Sequence, residues 1–139
     1  MRTVRTPDGT TYLLLKESSE SSLVRDPRTG EEAFLPNEDL EPVEEAALVT
    51  AASAIPDPVR KLITATHDER TLGLLVDLHQ HGPRSARGML EVHDLCETDL
   101  LGAVSEFRAA GLVEETTVGG ERGYRLTDDA ATILDDLTG

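Results

Sequence analysis

The apolar positions of this 139-residue chain fall into strand-length runs at its start and helical stripes over most of the rest. Thr11-Tyr12-Leu13-Leu14-Leu15, Leu23-Val24 and Ala33-Phe34-Leu35 are short apolar runs. Pro7-Asp8-Gly9 and Asp26-Pro27-Arg28-Thr29-Gly30 are turn signals, and 18–22 is a polar connection. The pattern predicts a three- or four-stranded antiparallel meander over 1–36. So small a sheet needs a helix or a partner subunit against one face to be stable. Residues 37–57 read as an acidic connector: Asn37-Glu38-Asp39-Leu40-Glu41-Pro42 is polar, and 43–54 is Ala-rich enough for a short helix that Pro56 must end.

Helical periodicity takes over at Asp57-Pro58, a capping acid followed by proline at the first helical position. Val59, Leu62 and Ile63 give that helix an apolar stripe, suited to packing onto the domain. A second helix starts near Asp68, with Leu72, Leu75, Val76 and Leu78 as its core stripe and Gly82-Pro83 as its stop. A short helix over 85–92 is expected to bury Met89 and Leu90, and His93-Asp94 makes the turn into the next. There Leu100, Val104 and Phe107 recur at helical spacing with Leu101 beside them, and Gly111 closes the helix. Leu112 enters a strand, Gly119-Gly120 turns it back into Tyr124 and Leu126, and a last helix over 128–137 carries Ala131, Leu134 and Leu137.

Helix, Ala-Gly-Leu-Val, hairpin and Tyr-Arg-Leu-Thr-Asp together resemble the last helix and wing of winged helix-turn-helix proteins, in particular the ArsR/MarR-like group of prokaryotic transcription regulators. The resemblance covers roughly residues 67–137. Joined to the pattern of the first half, it gives an expected α+β chain: a small antiparallel β-rich N-terminal domain (1–36), the acidic connector (37–57) and a C-terminal winged helix-turn-helix domain (58–139). It also implies a homodimer on double-stranded DNA, with the Val59, Leu62 and Ile63 helix as a part of the dimer interface, the third helix of the motif in a major groove and the wing along the next.

Charge complicates that expectation. The net charge is −14, with 27 acidic residues against 13 basic ones, and acids outnumber bases about two to one in both halves. Such a chain repels nucleic acid at low salt. Lysine occurs only at Lys16 and Lys61, and acids crowd nearly every expected loop, a composition suited to a high-salt cytoplasm. At molar salt the Debye length falls to about 3 Å and long-range repulsion is largely screened.

Within the motif, the outward positions of the third helix are Glu97, Thr98, Asp99, Gly102 and Ser105, none of them basic. Thr98 and Ser105 suit phosphate or base contact, and Glu97 or Asp99 can accept from cytosine. Cations surround the helix instead: Arg84 and Arg87, with Ser85, at the start of the second helix, Arg122 near the wing tip and Arg125 in the returning strand. These seven, Arg84, Ser85, Arg87, Thr98, Ser105, Arg122 and Arg125, are the candidate DNA-contacting residues. Arg108 is expected beside Glu106 and solvent. A second reading makes the winged helix a protein-interaction module, an adaptor in transcription or replication machinery. If Thr98, Ser105, Arg84 and Arg122 line one concave surface, DNA gains; if Asp99, Leu101 and Glu106 dominate, protein contact gains.

Other chemistry has little support. No phosphate loop, nucleophile elbow or metalloprotease helix occurs, so no enzymatic activity and no cofactor are expected. The four histidines, with Asp94 and Cys96 near His93, lack convincing metal-ligand spacing. The single cysteine builds no disulfide framework. Without an apolar run of about 18 residues or a secretory core, the chain is expected to be soluble and cytoplasmic, and the N-terminal sheet is left free to hold a protein partner or a small effector.

Overall fold

A computed structural model describes residues 1–139, which form two compact units, Met1–Asp57 and Pro58–Gly139. Both are mixed or antiparallel-sheet structures within an α+β chain.

The first unit is a five-stranded antiparallel sheet in the order β4-β3-β2-β1-β5, built from β1 (Arg2–Arg5), β2 (Thr11–Lys16), β3 (Ser21–Arg25), β4 (Glu32–Pro36) and β5 (Glu41–Pro42). It is wider than the three or four strands the pattern suggests, because Arg2–Arg5 and the proline-bearing pair Glu41–Pro42 also join. The 18–22 segment is not wholly a connection. Strand β3 starts at Ser21, and Ser22 is buried with its hydroxyl donating to Asn37 Oδ1 at 2.5 Å, which satisfies a polar group that burial would otherwise penalise. Val4, Leu14 and Val24 make a small core with Tyr12, Leu35 and Leu40 against it. Helix α1 (Ala47–Ala52) lies on this sheet, and the buried Thr3 and Thr50 hydroxyls hydrogen-bond at 2.7 Å. The stretch expected as a connector therefore carries a strand and a helix of the first unit.

The second unit runs α2 (Asp57–Ala65), α3 (Glu69–His81), β6 (Arg84–Ser85), α4 (Ala86–Val92), α5 (Glu97–Ala109), β7 (Val113–Val118), β8 (Glu121–Leu126) and α6 (Asp128–Thr138). Side-chain caps start its helices: Asp68 accepts from Thr71 N at 2.8 Å in a capping box, Ser85 from Gly88 N at 2.9 Å, and Thr127 from Ala130 N at 3.4 Å. The Thr71 hydrogen bonds hold the Asp68 carboxyl below the usual range. Gly119 and Gly120, both at positive φ, close the β7–β8 hairpin tightly.

Leu100, Val104 and Phe107 are buried as their spacing predicts, in one core with Leu75, Leu78, Met89 and Leu134. Several neighbours face the other way. On α3 it is Leu74 that turns inward and Leu72 outward, on α4 Met89 is buried and Leu90 exposed, and on α6 Ala130 and Ile133 are inside while Leu137 is exposed. Ile63 of α2 is also exposed. Adjacent residues on a helix stand 100° apart, so the buried arc of α3 takes in both Leu74 and Leu75, whereas that of α4 takes Met89 and leaves Leu90 outside.

Candidate nucleic-acid interface

Helices α4 and α5 and the β7–β8 hairpin converge on one region, tied together by the short strand β6. Arg84 and Ser85 pair with Tyr124 and Gly123 of β8. The approach requires glycine: a Cβ at Gly123 would lie 2.5 Å from the Arg84 carbonyl oxygen and 2.8 Å from Val118 Cγ2. Sequence pattern alone gives β6 no signal, since two polar residues after Gly82-Pro83 read as loop.

The outward face of α5 carries Glu97, Thr98, Asp99, Leu101, Gly102, Ser105 and Glu106, all exposed, and its only basic residue is Arg108 in the last turn. Thr98 and Ser105, seven residues apart on one helix, lie along one face with Leu101 and Gly102 between them. Arg108, expected beside Glu106, instead approaches Glu115 of β7 at 3.6 Å, and Glu106 meets His67 Nε2 at 2.5 Å.

The five other candidates differ in what they face. Arg84 is held by a two-pronged contact: its Nε donates to Asp77 Oδ2 at 2.6 Å and its Nη2 to Asp77 Oδ1 at 3.1 Å, with both side chains largely buried. His93 Nε2 lies 3.2 Å from the same Oδ2, near enough to pair when protonated although off-angle for a hydrogen bond. The Arg84 hydrogen bond holds the Asp77 carboxyl below its ordinary range, and the carboxylate in turn raises the guanidinium. Ser85 is spent on capping α4. Arg125 donates to Glu114 Oε1 at 2.6 Å across the hairpin, where the two are register partners. Arg87 has a looser contact, 3.6 Å to Glu121. Arg122 stands opposite Thr117, and no carboxylate pairs with it.

Sequence reading missed Asp77 and His93 as partners of Arg84. The acid lies on α3 and the arginine beyond the turn, so no helical spacing links them. The Glu114–Arg125 pair has a signal, because counting outward from Gly119-Gly120 sets them opposite each other. The histidines are not gathered: His67, His79 and His93 face three different carboxylates, Glu106, Asp135 and Asp77. No helix is long and apolar enough to cross a membrane.

Comparison with known proteins adds three findings. Residues 1–138 match a family described as a family of unknown function (DUF7346). No protein of curated function matches the chain. Among solved structures, HlyU from Vibrio cholerae N16961 is similar at 21% identity and a TM-score of 0.50, covering 58% of this chain and 87% of that one. HlyU from Vibrio vulnificus CMCP6, a transcriptional regulator, gives 22% identity and a TM-score of 0.49 over 58% of this chain and 83% of its own. An ArsR-like transcriptional regulator from Rhodococcus sp. RHA1 gives 21% and 0.45 over 58% and 79%. At such identities the Vibrio cholerae likeness shows a shared fold and nothing of activity.

Proposed function

The chain belongs to the DUF7346 family of unknown function, and within it we propose a DNA-binding transcription regulator that acts through its C-terminal half, residues 58–139, as a winged helix. The order α3, β6, α4, α5, β7–β8, together with the fold likeness to HlyU, is the observation that carries this reading. In this reading α5 enters a major groove with Thr98 and Ser105 toward the duplex, and the hairpin lies along the next groove. Arg122 and Arg87 neutralise phosphates, Arg122 foremost because no acid competes for it. Arg84 serves the motif indirectly by fixing β6 against α3. The protein works in the cytoplasm as a homodimer, a role for which Ile63 and Leu137 offer exposed apolar side chains. The N-terminal sheet, with Phe34 exposed on its edge strand β4, is the surface for a protein partner.

One observation favours a second reading, a protein-interaction module without direct DNA binding: the outward face of α5 combines Glu97, Asp99 and Glu106 with exposed Leu101, and its one cation, Arg108, lies in the last turn 3.6 Å from Glu115. Genome-wide crosslinking of the tagged protein at native salt, compared with an Arg87→Ala/Arg122→Ala variant, separates the two. Discrete peaks that the variant loses support the regulator. Absence of enrichment, with a defined protein co-purifying, supports the module.

A further inference from the structure

Between α4, α5 and β8 lies a groove of about 240 Å³ whose surface is mainly apolar, floored by Met89, Leu100, Leu101 and Val104. Three polar groups reach it from the β8 side and from α4: Arg122, Arg87 and Tyr124. Tyr124 is only 4% exposed, and its hydroxyl has no hydrogen-bond partner within the protein. That hydroxyl is not among the buried polar atoms left without a partner, so it meets water at the groove, and a ligand acceptor can take that water's place. Arg122 lacks a carboxylate, and Arg87 is held at 3.6 Å, beyond hydrogen-bond length. An apolar floor, a cation that no carboxylate pairs with and a water-accessible hydroxyl, with Glu97 as the one acid of the lining, are the features of a ligand site.

We propose that this groove binds a small monocarboxylate with an apolar tail, and that such a ligand is the effector of the regulator. Taking about 30 Å³ per water-sized group, the groove of about 240 Å³ holds roughly eight non-hydrogen atoms. A six-carbon straight-chain acid has that many, and an eight-carbon acid fills the groove and extends about two carbons beyond it. The tail lies on Met89, Leu100, Leu101 and Val104, and the carboxylate accepts from the Arg122 guanidinium and the Tyr124 hydroxyl, with Arg87 as the outer cation. Glu97 also lines the groove and sets its selectivity. One carboxylate facing the head group is tolerable for a monoanion but repels a phosphate or a dicarboxylate more strongly. The site is made by the same α4, α5 and hairpin that the regulatory reading turns toward DNA. The effector role therefore rests on that reading, whereas the binding itself does not.

Titration calorimetry on the full chain with octanoate, octanol and octylammonium tests the site without DNA. Octanoate is expected to bind one per chain, with Kd about 10 μM to 1 mM for a ligand of this size. Octanol is expected at least tenfold weaker, with octylammonium not binding. Arg122→Ala is expected to weaken octanoate tenfold or more, and Leu101→Gln to weaken octanoate and octanol together. Both positions are exposed, and an unchanged melting temperature shows that the variants fold. Equal affinity for octanol and octanoate overturns the proposal and assigns the groove to an uncharged occupant such as a partner's aliphatic side chain. Indifference of octanoate to Arg122→Ala overturns it too. A parallel DNA-binding assay separates the two claims. DNA binding without octanoate binding overturns the site alone, while selective octanoate binding without DNA binding supports the site and overturns the regulator reading. Release of DNA by octanoate supports the effector role, and simultaneous binding of both overturns that role.

Discussion

Replacing Arg84 by alanine is expected to destabilise the C-terminal unit rather than merely remove a surface cation. Its contact with Asp77 consists of two charge-assisted hydrogen bonds, 2.6 and 3.1 Å long, between side chains that are 18% and 27% exposed. Hydrogen bonds to charged groups contribute about 1.5–3 kcal/mol. Breaking a fully buried pair costs about 3–5 kcal/mol because the surviving charge is stranded. Water reaches both groups here, so the cost falls to about 2 kcal/mol for Arg84→Ala or Asp77→Ala. For a unit of this size that is a drop of roughly 8–16 °C in Tm. The double variant should cost about 2–3 kcal/mol, well short of the sum, for a coupling of about 1–2 kcal/mol. The chain has two tyrosines, one in each unit, so urea unfolding followed by tyrosine fluorescence in a Tyr12→Phe background reads the C-terminal unit through Tyr124. Strict additivity, or a wild-type midpoint for Arg84→Ala, would refute the view that this arginine is a structural one.

Other consequences of the geometry are equally measurable. Because Arg84 depresses the Asp77 pKa in the folded state, the stability this carboxylate contributes is present above the ordinary aspartate pKa of about 3.9 and is lost as the pH falls through its lower folded value. Acid titration of Asp77→Asn should accordingly lack part of the wild-type loss below about pH 4, and identical acid profiles would count against it. Gly123→Ala should cost about 1–3 kcal/mol, since its Cβ meets the Arg84 carbonyl at 2.5 Å and β6 must withdraw; wild-type stability would contradict the close approach. In the first unit, Thr50→Val keeps shape but strands the Thr3 hydroxyl, and a loss of about 1–2 kcal/mol, read through Tyr12 in a Tyr124→Phe background, is expected.

Which parts of this structure were legible in the sequence follows from what each part depends on. Helix starts and stops are local: Asp57-Pro58, Asp68 and Gly82-Pro83 each mark a boundary through groups within one turn, and all three boundaries lie where the chain announces them. Strand β1 is less visible, because Arg2–Arg5 contributes one apolar residue, Val4, and its other inward group is Thr3, made tolerable there by Thr50 from 47 residues away. Strand β5 includes a proline and is only two residues long, so nothing in its composition distinguishes it from a connector. Helix faces fail at adjacent apolar pairs such as Met89-Leu90, where tertiary contacts choose between two rotations of nearly equal local merit. Among the candidate site residues, the types were legible but their availability was not, since that depends on the acid each arginine meets after folding.

In a chain of net charge −14, the last point governs how DNA binding can work at all. Among the candidate arginines, those within close reach of a carboxylate are drawn into the structure, as Arg84 is by Asp77 and Arg125 by Glu114, which leaves Arg122 and, less completely, Arg87 open to phosphate. The proposed homodimer would then present about four cations to phosphate, for which counterion release from B-DNA gives a log–log salt slope of about −3.6. Salt also screens repulsion between the acidic surface and the duplex, which acts in the opposite sense and flattens the slope further. Fluorescence anisotropy of a crosslinking-derived site, titrated from 0.1 M to 1 M salt, should therefore show a slope no steeper than about −4, reduced toward zero by Arg122→Ala. A slope of about −6 or steeper would require more phosphate contacts than these two positions supply, and would return Arg84 and Arg125 to the DNA.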